Sequence, residues 1–505
     1  MADCGTNHTA CKQQHDFIPK RLLDLGDSSE AEAEIIRLHA TSFEEKPKYA
    51  ALSYCWGQSL NLITTLSTLK NRMDGVTLSS LPRVVREAVH VTRKLGMRFL
   101  WVDALCILQG REPEARQDWE IQSAKMAQIY GNAHITICAL GATNCQENLL
   151  MARKSRSTYA IPISKDTSKG KARLELEIQD NMKSQPLNFR GWTLQESVLS
   201  LRTVLFGPNM IYWACHTQTD SEAGSDVSNL SSNISRSLKS GLFTNSDPAG
   251  SFWDDLVSEY TQRSITVASD KLPALSGIAS IVYLRSNSTD HYYAGLWESR
   301  LPQQLLWRHA PKSQSCPHPL TSYRAPSWSW ASTDCAVIFP SFKSNYNITW
   351  ASETSVLSCF TEVKGLDPFG AVEKGEIVLE GPMKRVHLGF GRKDNRARGD
   401  STYKFGLVDP EDGDLLSADG LHLDCRSTGN TDRVNFTSPE RCCLLIYAEK
   451  RRRHVNKWIV QHAGLVLEQW SCKAESWKRI GMFYFWEPSK RDWFYDSPFK
   501  SVKIL

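Results

Sequence analysis

The sequence predicts an α/β fold: a mostly parallel sheet with helices on both faces, followed by a helical segment and a β-rich C-terminal region. Three observations predict it. Through the first half, short apolar runs alternate with segments of helical periodicity. From about residue 336 the pattern turns to strand-like runs with polar loops between them. At 505 residues the chain is also too long for one typical core, so two or three domains are expected.

The elements follow in order. "KYAALSYCWG" (48–57) starts as an apolar strand and ends in a turn at Gly57. "SLPRVVREAVHVTRKLG" (80–96) is the clearest helix. Ser80 suits an N-cap, Pro82 the first turn and Gly96 the stop. "MRFLWVDALCILQ" (97–109) reads as a buried strand, with Asp103 where it ends. "DWEIQSAKMAQIYGNA" (118–133) reads as a second helix and "HITICAL" (134–140) as a third, β-branched strand. Residues 141–187 form an insertion with a polar middle. "RGWTLQESVLS" resumes as a helix, and "RTVLFGPNMIYWAC" (202–215) gives one or two strands. Such an alternation implies parallel strands joined by right-handed crossovers.

Residues 217–247 are rich in Ser, Asn and Asp and read as a loop or linker. Helices are expected over 251–266, 270–283 and 292–308, and a Trp-rich turn over 323–332. "GEIVLEG", "YKFGLVD", "RCCLLIYAEK", "KWIVQHAGLVLEQW" and "WKRIGMFYFW" then read as strands. The division expected is an N-terminal extension (1–47), an α/β domain (48–216), a linker and helical accessory region (217–335) and a β-rich domain (336–505).

Composition excludes several classes. Hydrophobic residues are 41% and charged residues 23%, ordinary for a globular protein. Sixteen tryptophans suggest well-filled cores. A net charge of +5 is small for this length and gives no reason to expect nucleic-acid binding. The densest basic run, "EKRRRHVNK" (449–457), reads as a solvated loop between strands. No run is long and apolar enough to span a bilayer, and no secretory signal is visible, so a cytoplasmic protein is expected. The fourteen cysteines then read as reduced thiols. None shows C-x-x-C spacing, so no structural zinc site, metal or cofactor is expected. Dinucleotide-fold, P-loop and nucleophile-elbow words are absent as well.

Five words appear together: "YAALSYCWG", "LPRVVREAVHVTRKLGMRFLWVDALCILQ", "DWEIQSAKMAQIYGNA", "RGWTLQE", and "RTVLFG" followed by "IYWAC". In this order and spacing, over roughly Tyr49 to Cys215, the sequence resembles the fungal heterokaryon-incompatibility (HET) domain. "SDKLPALSGIAS", "YYAGLWESRL" and "APSWSWAS" look like the accessory region that often follows it. The sequence departs from the family pattern at Gly110, where an acidic residue commonly follows "CILQ". The resemblance implies a part in fungal non-self recognition and cell death, with a recognition protein as partner.

If the strand order is flavodoxin-like, 2-1-3-4-5, it reverses between the strands ending at Tyr54 and Leu140, and ligands bind beyond such a switch point. Glu196 would then face Ser53, Tyr54 and Trp56 across one crevice, with Asp103 lining it. This arrangement is similar to the TIR domain, in which a helix carries a tryptophan and then a glutamate. Trp192 and Glu196 have that spacing and share a helical face. TIR enzymes cleave the N-glycosidic bond of NAD, and they usually work when clustered. The resemblance therefore implies Glu196 as catalytic acid, NAD or a related dinucleotide as substrate, and a homo-oligomer on activation. A buried carboxylate can stabilise an oxocarbenium-like state. Trp56 or Trp192 could stack on a ring, and Arg190 could pair with a phosphate.

Plainer readings stand beside these. Trp192, Tyr54 and Trp56 also fit packing roles. Glu196 also fits an ion pair with Arg190 or Arg202, and Asp103 a loop cap. At the level of function, the alternatives to an NAD hydrolase are a non-catalytic signalling module and a HET-type protein recruited to small-molecule biosynthesis.

Overall fold

The computed structural model describes residues 2–12, 17–26, 34–42, 44–58, 61–152, 157–162, 171–176, 180–222, 238–239, 241–243, 245–311, 322–340, 352–394, 401–408, 410, 415–416, 421–424, 440–454, 457–470, 476–488, 494 and 496–505. The chain forms two compact units. One contains Met1–Ser246, Arg263–Thr266 and Pro273–Ile278; the other contains Asp247–Gln262, Val267–Leu272 and Ala279–Leu505.

The first unit is built on β1 (Arg21–Asp24), β2 (Ile35–Ala40), β3 (Tyr49–Ser53), β4 (Val76–Thr77), β5 (Phe99–Trp101), β6 (Ile135–Cys138), a hairpin of β7 (Ser157–Pro162) and β8 (Lys171–Leu176), β9 (Arg202–Phe206), β10 (Ile211–Cys215) and β11 (Thr219–Ser221). Nine of these make one sheet in the order β11-β10-β9-β6-β3-β5-β1-β2-β4. Its centre, β9-β6-β3-β5, is parallel. Both wings are antiparallel, so the sheet is mixed. Taken in chain order, the four central strands lie as 2-1-3-4, and the order reverses between β3 and β6. Strands β1 and β2 come from residues 1–47. Every residue of β3 is buried, as expected of a parallel strand covered on both faces.

The helices of this unit are α1 (Ala2–Asn7), α2 (Leu69–Asp74), α3 (Arg83–Lys94), α4 (Asp103–Cys106), α5 (Pro113–Ser123), α6 (Met126–Asn132) and α7 (Trp192–Leu199). Helix α3 buries Val84, Val85, Ala88 and Val89 against the sheet core. It ends at Gly96, whose φ of 74° is left-handed. Ser80 is not its cap. Pro82 occupies that position, and the Ser80 hydroxyl donates to Thr77 O at 2.7 Å.

Three further expectations need correction. The strand expected over 97–109 spans only Phe99–Trp101, because the chain turns into α4 where the Asp103 carboxylate accepts the Ala104 N–H at 2.7 Å. The helix expected over 118–133 is two helices, broken at Lys125, whose ψ is 5°. The helix expected over 292–308 begins instead as a hairpin, Tyr292–Tyr293 against Leu296–Trp297. Its two-residue turn puts Ala294 and Gly295 at positive φ, the geometry that matches strand twist.

Gly57 closes the turn after β3 at φ 71°, and a Cβ there would run into Asn144 Cβ. Gly57→Ala combines left-handed strain with a steric clash and should cost about 2 kcal/mol or more. Denaturant midpoints of the two proteins check this.

In the second unit, Trp253, Trp297 and Trp330 are fully buried, and Gly295 O accepts indole N–H groups from Trp253 and Trp330, both at 2.9 Å. Strands Val372–Arg385, Arg441–His454, Lys457–Gln469 and Ser476–Pro488 pair in sequence as antiparallel neighbours. Phe499–Ile504 pairs with both Val372–Arg385 and Ser476–Pro488 and closes these five strands into a ring. Most of the basic run 449–457 is strand, not loop, because the long hairpin carries it up to His454.

Just over half of the linker-like stretch 217–247 lies outside the described residues, and its described start is not loop, because Thr219–Ser221 pairs with β10 as β11. The reduced-thiol expectation fails at Cys335, which is disulfide-bonded; among the described residues ten other cysteines form no disulfide. Among the described residues, no helix is long and apolar enough to cross a membrane.

Candidate functional site

The site is built where β3 ends. Helix α7 follows Gly191 and buries Thr193, Leu194, Gln195, Glu196, Val198 and Leu199, so it is covered on nearly every face. Its start is fixed by a short parallel bridge. Gly191 N–H donates to Ser264 O at 2.9 Å, and Ser264 N–H donates to Phe189 O at 2.6 Å. Its end is tied to β6, because Ser200 Oγ donates to Glu196 O at 2.6 Å and lies 2.6 Å from Thr136 Oγ1.

This holds the Glu196 carboxylate, in a residue only 5% exposed, against Ser53 at the carboxyl end of β3. Ser53 Oγ donates to Glu196 Oε2 at 2.5 Å. Burial pushes the Glu196 carboxyl up to about 7. The Arg190 guanidinium and the Ser53 hydrogen bond work against that rise, and Asp103 adds to it. Glu196 is therefore a poised acid, near half ionised at neutral pH.

The other expected residues assemble around it. Arg190 donates through a guanidinium nitrogen to Tyr54 O. Trp56 Nε1–H donates to Asp103 Oδ2 at 2.9 Å. Burial also raises the Asp103 carboxyl, against the pull of Arg190. Tyr54 is buried, and its hydroxyl accepts from Asn61 Nδ2 at 2.9 Å. Trp56 and Trp192 are half-buried and pack against the main core cluster, so each presents only part of its ring. Arg202 is not a partner of Glu196. It bonds Cys4 Sγ at 3.3 Å and Cys11 O at 2.8 Å. Beside Gly110, the Glu112 carboxylate occupies the space a Cβ would need.

Two site residues escaped sequence reasoning. The Tyr130 hydroxyl, 3.1 Å from Leu52 O, also lies beside Glu196. Cys138, at the end of β6, feels the Glu196 charge, and burial pushes its thiol up to about 12. Cys55 is raised to about 11 by burial, so both are neutral thiols and poor nucleophiles. Tyr130 ends an amphipathic helix word, where its apolar spacing hid a polar role.

The model of the heterokaryon incompatibility protein (HET) family matches residues 49–196. The chain carries a HET domain. The matched span opens on the first residue of β3 and closes on Glu196, so it begins and ends on the strand and helix that meet at the site. Strands β1 and β2 lie before the matched span and β9–β11 after it, yet all five belong to the HET domain's sheet. The domain supports a function of the heterokaryon-incompatibility type. No curated protein and no solved structure matches the chain.

Proposed function

We propose that this HET-domain chain acts in fungal non-self recognition and cell death by cleaving the nicotinamide–ribose bond of NAD, with Glu196 as the catalytic carboxylate. One observation carries the reading. A buried carboxyl, raised to about 7, sits at the carboxyl end of β3, where the parallel strand order reverses.

In the reaction the bond between ribose C1′ and the pyridinium nitrogen breaks. Its electron pair leaves with nicotinamide, which departs neutral, and water adds to the oxocarbenium-like carbon and loses a proton. The ionised form of Glu196 is the one that stabilises the positive charge. Arg190 keeps part of Glu196 ionised, and Asp103 and Trp56, hydrogen-bonded to each other, would line the opposite side of a nucleotide bound there. This activity is expected to need clustering of the chain, with the second unit available to a recognition partner.

The test is nicotinamide release from NAD by the purified protein, with and without forced clustering, across pH. Only ionised Glu196 works, so kcat/KM should rise about tenfold from pH 6 to pH 8. No release, even when clustered, overturns the reading. A second reading, a non-catalytic signalling module, is favoured by the low exposure of Glu196, whose carboxylate is closed over by groups of its own chain. In that case a Glu196→Gln chain still triggers death in cells.

A further inference from the structure

Cysteine spacing alone predicts no metal site. The fold nevertheless joins Cys4, His8 and Cys11 of the N-terminal segment to Cys215 at the end of β10, 207 residues beyond His8. One ligand atom from each lies within 4.8 Å of all the others. His8 Nδ1 and Cys215 Sγ are 3.5 Å apart. A tetrahedral zinc ion, with Zn–S of about 2.3 Å and Zn–N of about 2.0 Å, sets its ligand atoms about 3.5–3.8 Å apart. The cluster is therefore within about 1 Å of a closed Cys3His shell. We propose that Cys4, His8, Cys11 and Cys215 bind a structural Zn²⁺ that fastens the N-terminal segment to β10.

The surroundings suit thiolate ligands. Arg202 Nε–H donates to Cys4 Sγ at 3.3 Å, and Gln218 N–H donates to Cys215 Sγ at 3.2 Å. Thr217 Oγ1 lies 3.8 Å from Cys11 Sγ. Such contacts orient metal-bound sulfur and spread its charge. On binding, the three thiols release their protons to solvent, and Zn²⁺ with three thiolates keeps one negative charge. The Arg202 side chain, almost fully buried, offsets that charge, as does buried Lys239, which lies in the electrostatic field of the same cysteines. Cys4, Cys11 and Cys215 are buried with Trp213 packed against them, and four protein ligands leave no coordination position open, as in structural rather than catalytic zinc. A cavity of about 350 Å³ lined in part by Cys4, His8 and Trp213 opens beside the cluster and gives the ion a way in.

The test is elemental analysis of the full chain purified under reducing conditions. About one zinc per chain is expected for the wild type. Cys11→Ser and Cys215→Ser should each lower it at least tenfold. His8→Cys should retain it, because four thiolates also satisfy zinc. Cobalt(II) put in place of zinc should show the visible bands of a tetrahedral thiolate site in the wild type, altered in His8→Cys. Three results overturn the proposal: a folded wild type that holds no zinc and takes up no cobalt, full zinc in Cys215→Ser, or a wild type in which two of these cysteines are joined as a disulfide.

Discussion

Glu196→Gln should reduce nicotinamide release by at least about a hundredfold and, above pH 7, leave the protein more stable than the wild type. The two effects have one cause. The folded carboxyl is raised from its ordinary 4.5 to about 7 by burial, so the fold holds the proton more tightly than the unfolded chain does. Below about pH 4.5 the carboxyl is protonated in both states and costs nothing in this respect. As pH rises to about 7, the unfolded chain ionises first and stability falls. Above that the loss is constant, and at about 1.4 kcal/mol per pH unit it amounts to about 3 kcal/mol. A glutamine never ionises. Its amide oxygen still accepts the Ser53 hydroxyl, so packing is kept. Thermal melts of both proteins at pH 4 and pH 8 should show a gap at pH 8 that nearly closes at pH 4. A glutamate that only packs would lose no activity on this change, and a variant that melts lower at pH 8 would mean that the ionised carboxylate stabilises the fold.

Asp118→Ala should cost about 3–5 kcal/mol and lower Tm by about 10 °C. Asp118 is 4% exposed and joins three pieces of the first unit. Its carboxylate takes Arg21 from β1, Lys20 Nζ at 2.8 Å, and the Leu108 N–H at 2.9 Å from the loop after α4. Arg21 is itself 5% exposed, and its Nε–H reaches Cys106 O at 2.7 Å. Removing the carboxylate leaves that guanidinium charged and unpaired in the interior, and this accounts for most of the loss. Burial alone would raise the Asp118 carboxyl, but Lys20, the Leu108 N–H and Arg21 outweigh it and hold the group below its ordinary range. The pair therefore stabilises fully above the unfolded carboxyl's range near pH 4, and the contribution fades as pH falls through the depressed value. Denaturation curves of the variant and the wild type should converge in strong acid. Methionine in place of Arg21 together with Asp118→Leu should recover much of the loss, because a matched apolar pair leaves no orphaned charge.

The centre of the sheet was legible because its strands are buried on both faces and therefore written as apolar words: "YAALS", "FLW", "ITIC" and "RTVLF". Its antiparallel wings were not. Arg21–Asp24 is too short to show a period and buries a charged residue, Arg21, while Ile35–Ala40 alternates buried and exposed residues over only six positions that carry Arg37 and His39. The failed helix at 292–308 has an apolar period that a helix and a hairpin both satisfy, and only the Ala-Gly turn decides between them. The meeting of Glu196 with Ser53 followed from strand order, so it could be reasoned from the alternation of elements. Cys138 stands beside Ser53 in the neighbouring strand β6, so the same strand order places it, whereas Tyr130 could not be placed, since it reaches the site from helix α6 by packing on the sheet. The Cys3His cluster was hidden for a third reason. Its ligands are spread over two words far apart in the chain, and spacing rules see only neighbours.

The bridge from Ser264 to the start of α7 bears on how such genes can be shuffled. Ser264 belongs to the same compact unit as Arg190, although residues 247–262 and 267–272 on either side of it belong to the other. A crossover between codons 246 and 263 would therefore not deliver the α/β unit intact. It would leave Gly191 N–H and Phe189 O facing a strap of foreign sequence. Because the bridge is made of backbone groups, a foreign strap of the right length could still fit, whereas one with proline in place of Ser264 could not donate to Phe189 O. Recombinant chains should thus sort by loop length and proline position at this point rather than by the identity of the side chain at 264.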